Sequence, residues 1–310
     1  MDMICHFNTL PNEIKHYIIS LTKNRLTELS LIDHYFNDNC KIIRITSNDK
    51  YHNLRDENLK ELINLTYLNL CNNDIITDEG IKELINLTVL NLSCNKTITS
   101  IGMNVLTKLT NLNLSCNDYI TNEEIEKLIN ITTLRLNYND TITDEGIKDL
   151  TNLTSLHLTD NDTITYLGIS NLVNLNHLDL SQNEMIRFTD IKILTNLISL
   201  DLNYSNEMTH ENVNELTNLT SLSLVNNDIV NDDSLAKLIR LKYLNLSDNR
   251  MITDKGLKKL TNLTHLKLND NYSITDEGIK NLADLQELRL DFNSIITNNG
   301  ISHLTKLKNL

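Results

Sequence analysis

Leucines recur along the chain in pairs separated by one residue. The pairs return every 22 positions, from Leu68/Leu70 through Leu90/Leu92 and Leu112/Leu114 to Leu288/Leu290. Eleven such repeats pass without an insertion or deletion. A second apolar group keeps the same beat: Ile76, Ile81 and Leu84 have aliphatic counterparts in every repeat to Ile296, Ile301 and Leu304. Leu-x-Leu alternates with period two, which predicts a short strand with one buried face, whereas the second group is spaced for a short helix. Thr77 ahead of Asp78 and Glu79 supplies an N-cap hydroxyl and first-turn acids, so the helix is expected to start there.

Polar positions repeat as strictly. Asn73 returns in every repeat to Asn293 except at Ser205. Its amide is expected to turn inward and serve backbone groups left unpaired where the chain leaves the strand, so that stacked repeats form a ladder. All seven glycines, Gly80 to Gly300, occupy one repeat position, where Glu124, Asp190, Asn212 and Ser234 replace them. A position that tolerates such substitutes permits close packing rather than requiring a positive φ. One repeat of this size buries too little to stand alone, so neighbours and end caps must supply the missing contacts.

The phrase L-T-x-L-x-L-x-x-N followed by I-T-D-E-G-I-x-x-L resembles the leucine-rich-repeat family over about residues 62–310. The resemblance implies an α/β solenoid, a horseshoe of 22-residue repeats with a parallel concave sheet. Residues 63–310 form the array, eleven repeats and a partial twelfth that stops at Leu310 within a strand motif. A sheet edge there needs covering, so this end is expected to be a weak point, a truncation or a contact. Residues 46–62 read as a degenerate capping repeat: Leu54, Leu59 and Leu62 keep the register without the leucine pair.

Upstream, Leu10, Ile14, Ile18 and Leu21, then Leu26, Leu29 and Ile32, fall at helical spacing, with Pro11 suited to a first helical position. Residues 6–45 resemble an F-box, a small helical module, through Leu10-Pro11, Glu13-Ile14, Ile18-Ile19, Leu26, Leu29, Leu31-Ile32 and Phe36. The segment departs from that family in a loop one residue short and in having no tryptophan near its end. The resemblance implies that Leu10, Pro11, Ile14, Ile18, Leu26, Leu31 and Phe36 dock a Skp1-like adaptor. The repeats would then present a target to a cullin-type ubiquitin ligase. The alternative is a scaffold or recognition protein with no ubiquitin link, in which these helices only cap the repeats.

Composition and charge narrow the class. The net charge of -13 lies wholly after residue 50, because the first 50 residues hold six basic and six acidic side chains. An acidic array disfavours nucleic acid and anionic membrane as partners. No apolar run approaches a membrane span, and the polar N-terminus is not a signal peptide. Five cysteines without paired spacing fit a reducing, intracellular compartment, cytoplasmic or nuclear. The many NLT sequons are therefore read as unmodified. No phosphate loop, nucleophile elbow or metalloprotease helix occurs, so an enzyme and a cofactor are not expected.

Strand alternation puts the residue before each leucine pair, the one between its members and the two after it on the concave face. Candidate partner-binding residues there are Arg135, Tyr138, His157, Asp160, His177, Asp179, Asp201 and Tyr204. Three acids lie mid-array between Arg135 and the pair Lys267/Arg289, which suggests a basic protein target with an aromatic contact. His157 and His177 fall two positions off stacking, too few and too offset for zinc.

Overall fold

The computed structural model describes residues 44–45, 55–60, 62–205 and 213–310. They fall into two compact units that divide between Asn152 and Leu153. The positions Leu10 to Phe36, expected from the sequence to dock an adaptor, lie outside the described residues.

In the first unit, strands β1 (Arg44–Ile45), β2 (Tyr67–Asn69), β3 (Val89–Asn91), β4 (Asn111–Asn113) and β5 (Thr133–Arg135) pair in parallel and in chain order. β1 sets Ile45 opposite Leu68, one residue more than the repeat period. In the second unit β6 (Ser155–His157), β7 (His177–Asp179), β8 (Ser199–Asp201), β9 (Ser221–Ser223), β10 (Tyr243–Asn245), β11 (His265–Lys267) and β12 (Glu287–Arg289) do the same. After β12, Asn309 bridges Glu287 in parallel and its carbonyl accepts from Leu288 N–H at 3.0 Å, so the partial twelfth repeat pairs as the others do.

Each three-residue strand turns its central leucine inward. The repeat holding Leu68, Leu70, Ile76, Ile81, Leu84 and Leu87 buries all six completely. The helices are single turns. Asp78–Ile81 begins at Thr77, whose hydroxyl accepts from Glu79 N–H at 3.3 Å, as the Thr-Asp-Glu pattern predicts.

The asparagine ladder forms. Asn117 is fully buried; its Nδ2 donates to the carbonyls of Leu92 and Asn95, both at 3.0 Å, and its Oδ1 accepts from Tyr119 and Ile120 N–H. Ser205 keeps one strut of that pattern, donating to the Leu180 carbonyl at 3.3 Å.

The residue before the ladder position has positive φ in all eleven repeats, from Asn72 (53°) to Phe292 (57°), and none of the eleven is glycine. The left-handed residue reverses the chain and turns the next side chain inward, at a conformational cost repaid by the buried ladder. No glycine has positive φ. The glycines serve packing: a Cβ on Gly102 would lie 2.5 Å from Asp78 Oδ1 of the preceding repeat, and one on Gly80 as close to Asp56 Oδ1. That carboxylate is fixed because Asp78 accepts from Thr99 N–H at 2.8 Å and from its hydroxyl at 2.7 Å.

Candidate functional site

The residue between the paired leucines lies on the sheet face away from the leucine core, partly buried in most repeats and buried at Ser223. Register therefore lines up His157, Asp179, Asp201, Ser223, Asn245, Lys267 and Arg289 across the second unit. One end of this row is acidic and the other basic. The basic end is locally engaged: Lys267 Nζ sits 5.6 Å from the centre of the Tyr243 ring, and Arg289 Nε donates to Glu287 at 2.9 Å.

The acidic end is built from a recurrent turn. Where the residue between the leucines has an acceptor oxygen, that oxygen usually takes the N–H two residues on: Asn69 from Cys71, Asn91 from Ser93, Asn113 from Ser115 and Asn245 from Ser247, at 2.9–3.1 Å. Asp179 follows the rule and adds to it. Its Oδ1 accepts from Ser181 N–H at 3.0 Å and from the Ser181 hydroxyl at 2.7 Å. Its Oδ2 accepts from the Thr159 hydroxyl at 3.0 Å, with His157 Nδ1 at 3.7 Å. Burial opposes ionisation, but His157 and the Ser181 and Thr159 donors outweigh it and hold the carboxyl down at about 2.

Asp201 breaks the rule. Two residues on stands Asn203, whose Oδ1 instead accepts from Val225 N–H at 2.9 Å and the Ser223 hydroxyl at 2.7 Å. Among the described residues no group donates to the Asp201 carboxylate. Burial, then the charge of Asp179, push it up to about 6, against the pull of His157. Near neutrality the site thus offers one satisfied carboxylate and, one strand away, one open acceptor in a partly buried setting. Such a pair is suited to receive a cationic side chain.

The other expected partner residues are described each within its own repeat. Tyr138, Asp160 and Tyr204 are the left-handed residues of their repeats and stand exposed at the turn beyond the strand. Arg135 lies on β5 in the first unit, partly buried. His177 opens β7, exposed, with its ring against the Asn176 side chain. Its register partners are Ser155 and Ser199, not His157. Among the described residues no three His, Cys, Asp or Glu side chains are grouped to hold a metal ion. None of their helices is long and apolar enough to cross a membrane. The donors Thr159 and Ser181 escaped the sequence reading. The signal for Ser181 was its place two residues after an acid, matching Asn113/Ser115 and Asn245/Ser247.

The leucine-rich-repeat model matches residues 61–85, 83–106, 105–128, 127–151, 149–173, 241–261 and 259–283, together about half of the chain. The chain belongs to the leucine-rich-repeat family. The stretch between those matches, 174–240, holds Asp179, Asp201 and Asn203. Among solved structures, the chain is similar to an internalin, InlF, from Listeria monocytogenes, with 27% identity over 83% of this chain and 88% of that chain and a TM-score of 0.54. It is also similar to a leucine-rich-repeat protein of Leptospira interrogans, with 28% identity, 88% and 76% coverage and a TM-score of 0.59. A chain in the Rad7–Elc1 complex of yeast shares the fold at 20% identity, with 92% and 81% coverage and a TM-score of 0.57. No curated protein matches the sequence. The scaffold is that of a leucine-rich-repeat protein.

Proposed function

We propose that this chain is a non-catalytic recognition protein whose second unit binds a cationic segment of a protein target through Asp201. The observation that carries the reading is the contrast within one register row: Asp179 is saturated by its own neighbours while Asp201 is left open. A target lysine or arginine would supply the missing donors, and the desolvated setting strengthens such a pair. A phosphate backbone would instead meet two carboxylates, which favours protein over nucleic acid as the target.

A finer form of the reading makes the chain a substrate-recognition subunit of a cullin-type ubiquitin ligase. Its support is the F-box-like run of Leu10, Pro11, Ile14, Ile18, Leu26, Leu31 and Phe36. The Rad7–Elc1 likeness concerns the fold alone. The competing form is a leucine-rich-repeat scaffold without a ubiquitin link.

A two-armed pull-down with the full chain tests both. Asp179→Asn/Asp201→Asn is expected to lose the target and keep a Skp1-like adaptor; Leu10→Asp/Ile14→Asp is expected to lose the adaptor and keep the target. Retention of the target by the first variant contradicts the recognition site. Unchanged adaptor capture by the second contradicts the ligase form.

A further inference from the structure

Cys94 and Cys116 occupy the same repeat position in neighbouring repeats of the first unit. Strands β3 and β4 pair Leu90 with Leu112, and that register continues past the strands: Leu92 N–H donates to the Asn113 carbonyl at 2.8 Å and Cys94 N–H to the Ser115 carbonyl at 2.9 Å. The two cysteines therefore lie opposite each other, one strand spacing apart, about 5 Å between Cα atoms. That separation falls within the span a disulfide bridges. Both share the left-handed backbone, with φ of 52° and 53°, so their side chains leave the chain in the same direction. The thiols are near enough that Cys94 perturbs the Cys116 thiol. Cys116 is exposed and Cys94 half-exposed, so an oxidant can reach them.

We propose that Cys94 and Cys116 are a redox modification site, closing to a disulfide that staples two adjacent repeats when the chain meets a hydroperoxide. One thiolate attacks the peroxide, the O–O bond breaks, and a sulfenic acid and a water or alcohol result. The second thiolate attacks the sulfenic sulfur, the S–S bond forms, and the S–O bond breaks with hydroxide taking up a proton as water. Two thiols are oxidised by two electrons and one peroxide is reduced. The nearness of the second thiol favours this closure over further oxidation of the first sulfur.

Burial, then the neighbouring Cys94 thiol, push the Cys116 thiol up, with smaller contributions from Asp118 and Cys71. Its thiolate is therefore scarce at neutral pH, and closure quickens as pH rises through the alkaline range. Cys71 sits one position off this register, in the preceding repeat, with its sulfur accepting from Asn72 Nδ2 at 3.4 Å. It is the internal control.

The test is exposure of the full chain to one equivalent of hydrogen peroxide, followed by intact mass and non-reducing peptide mapping. The expected result is a loss of about 2 Da, the two hydrogens given up on closure, with a Cys94–Cys116 cross-link that dithiothreitol reverses. Cys94→Ser and Cys116→Ser should each abolish the link and Cys71→Ser should leave it. A cross-link from Cys71, a link between two chains, or sulfinic acid at Cys94 or Cys116 as the main product overturns the proposal. So does survival of both thiols.

Discussion

Asp179 and Asp201 face each other in register on adjacent parallel strands, yet Asp179 accepts three hydrogen bonds and Asp201 none among the described residues. Their proton affinities part accordingly, to about 2 and about 6. Identical side chains at identical repeat positions thus do different work. The difference comes from what stands two residues on, Ser181 in one repeat and Asn203 in the next.

Asp201→Asn is expected to raise stability at neutral pH. The folded chain holds the Asp201 proton up to about 6, whereas an unfolded aspartate releases it near 4. Between those values the folded state binds more protons, so this group's contribution to stability is present below that window and is lost as pH rises through it. Urea unfolding at pH 7.5 should show a gain on the order of 1–2 kcal/mol for the variant, vanishing by about pH 4. A variant less stable than the parent at pH 7.5 would count against an open, strained carboxylate.

Asp179→Ala acts in the opposite sense. It orphans the Ser181 N–H and the Ser181 and Thr159 hydroxyls, costing about 1–3 kcal/mol at pH 7. Because the Asp179 pKa is lowered to about 2, the stability that carboxylate gives is complete above about 4 and lost as pH falls to 2. The same substitution removes one cause of the raised Asp201 proton affinity, so the Asp201 carboxyl carbon, followed by NMR titration, should titrate below its parent value.

Gly102→Ala should destabilise by about 1–3 kcal/mol despite alanine's better helix propensity, because the new Cβ meets Asp78 Oδ1 at 2.5 Å. The sequence holds its own control. Where Glu124 replaces the glycine, Ser100 stands where the aspartate would be, and Glu124 Oε2 itself accepts from Thr121 N–H at 3.0 Å and the Thr121 hydroxyl at 2.9 Å. The double change Asp78→Ser/Gly102→Glu should therefore cost less than its two single changes summed, by about 1 kcal/mol or more in a thermodynamic cycle.

Asn117→Ala should cost about 3 kcal/mol or more, since it removes four hydrogen bonds to backbone groups at once, three of them buried and the one from Tyr119 N–H partly so. Asn117→Ser should cost less, as Ser205 keeps one strut of the ladder. Chemical denaturation of the two variants checks the order.

Much of this fold was legible because repetition averages out local ambiguity. Leu68/Leu70 alone is a weak strand signal, but eleven copies in step admit one reading. The packing role of the glycines was legible too, and the pairing behind it could have been: all seven have Asp or Asn twenty-four positions earlier, and Glu124, Asp190, Asn212 and Ser234 have Ser100, Tyr166, Phe188 and His210. The left-handed turn was not. Its eleven residues run from Asn72 and Cys94 to Tyr138 and Phe292 and are never glycine; five are Asn or Asp, which tolerate that backbone, and at the others the ladder beneath enforces the conformation. Of the candidate site, strand alternation gave the face and its acids, placing His157, Asp179 and Asp201 in one row. The inequality of the two aspartates depends on which way Asn203 turns, a choice decided by Val225 and Ser223 in the following repeat.

Selection of phage-displayed peptides on the immobilised full chain, followed by fluorescence titration of the winners at pH 7.5, tests the recognition site most directly. The account predicts selected peptides carrying lysine or arginine, whose affinity falls at least about tenfold, one cationic contact's worth, in Asp201→Asn and is unchanged in Glu277→Gln, outside the strand face. Binding should also weaken as pH falls below about 6, where Asp201 takes up its proton. Cationic peptides that bind parent and Asp201→Asn equally, or winners without a cation, would contradict it.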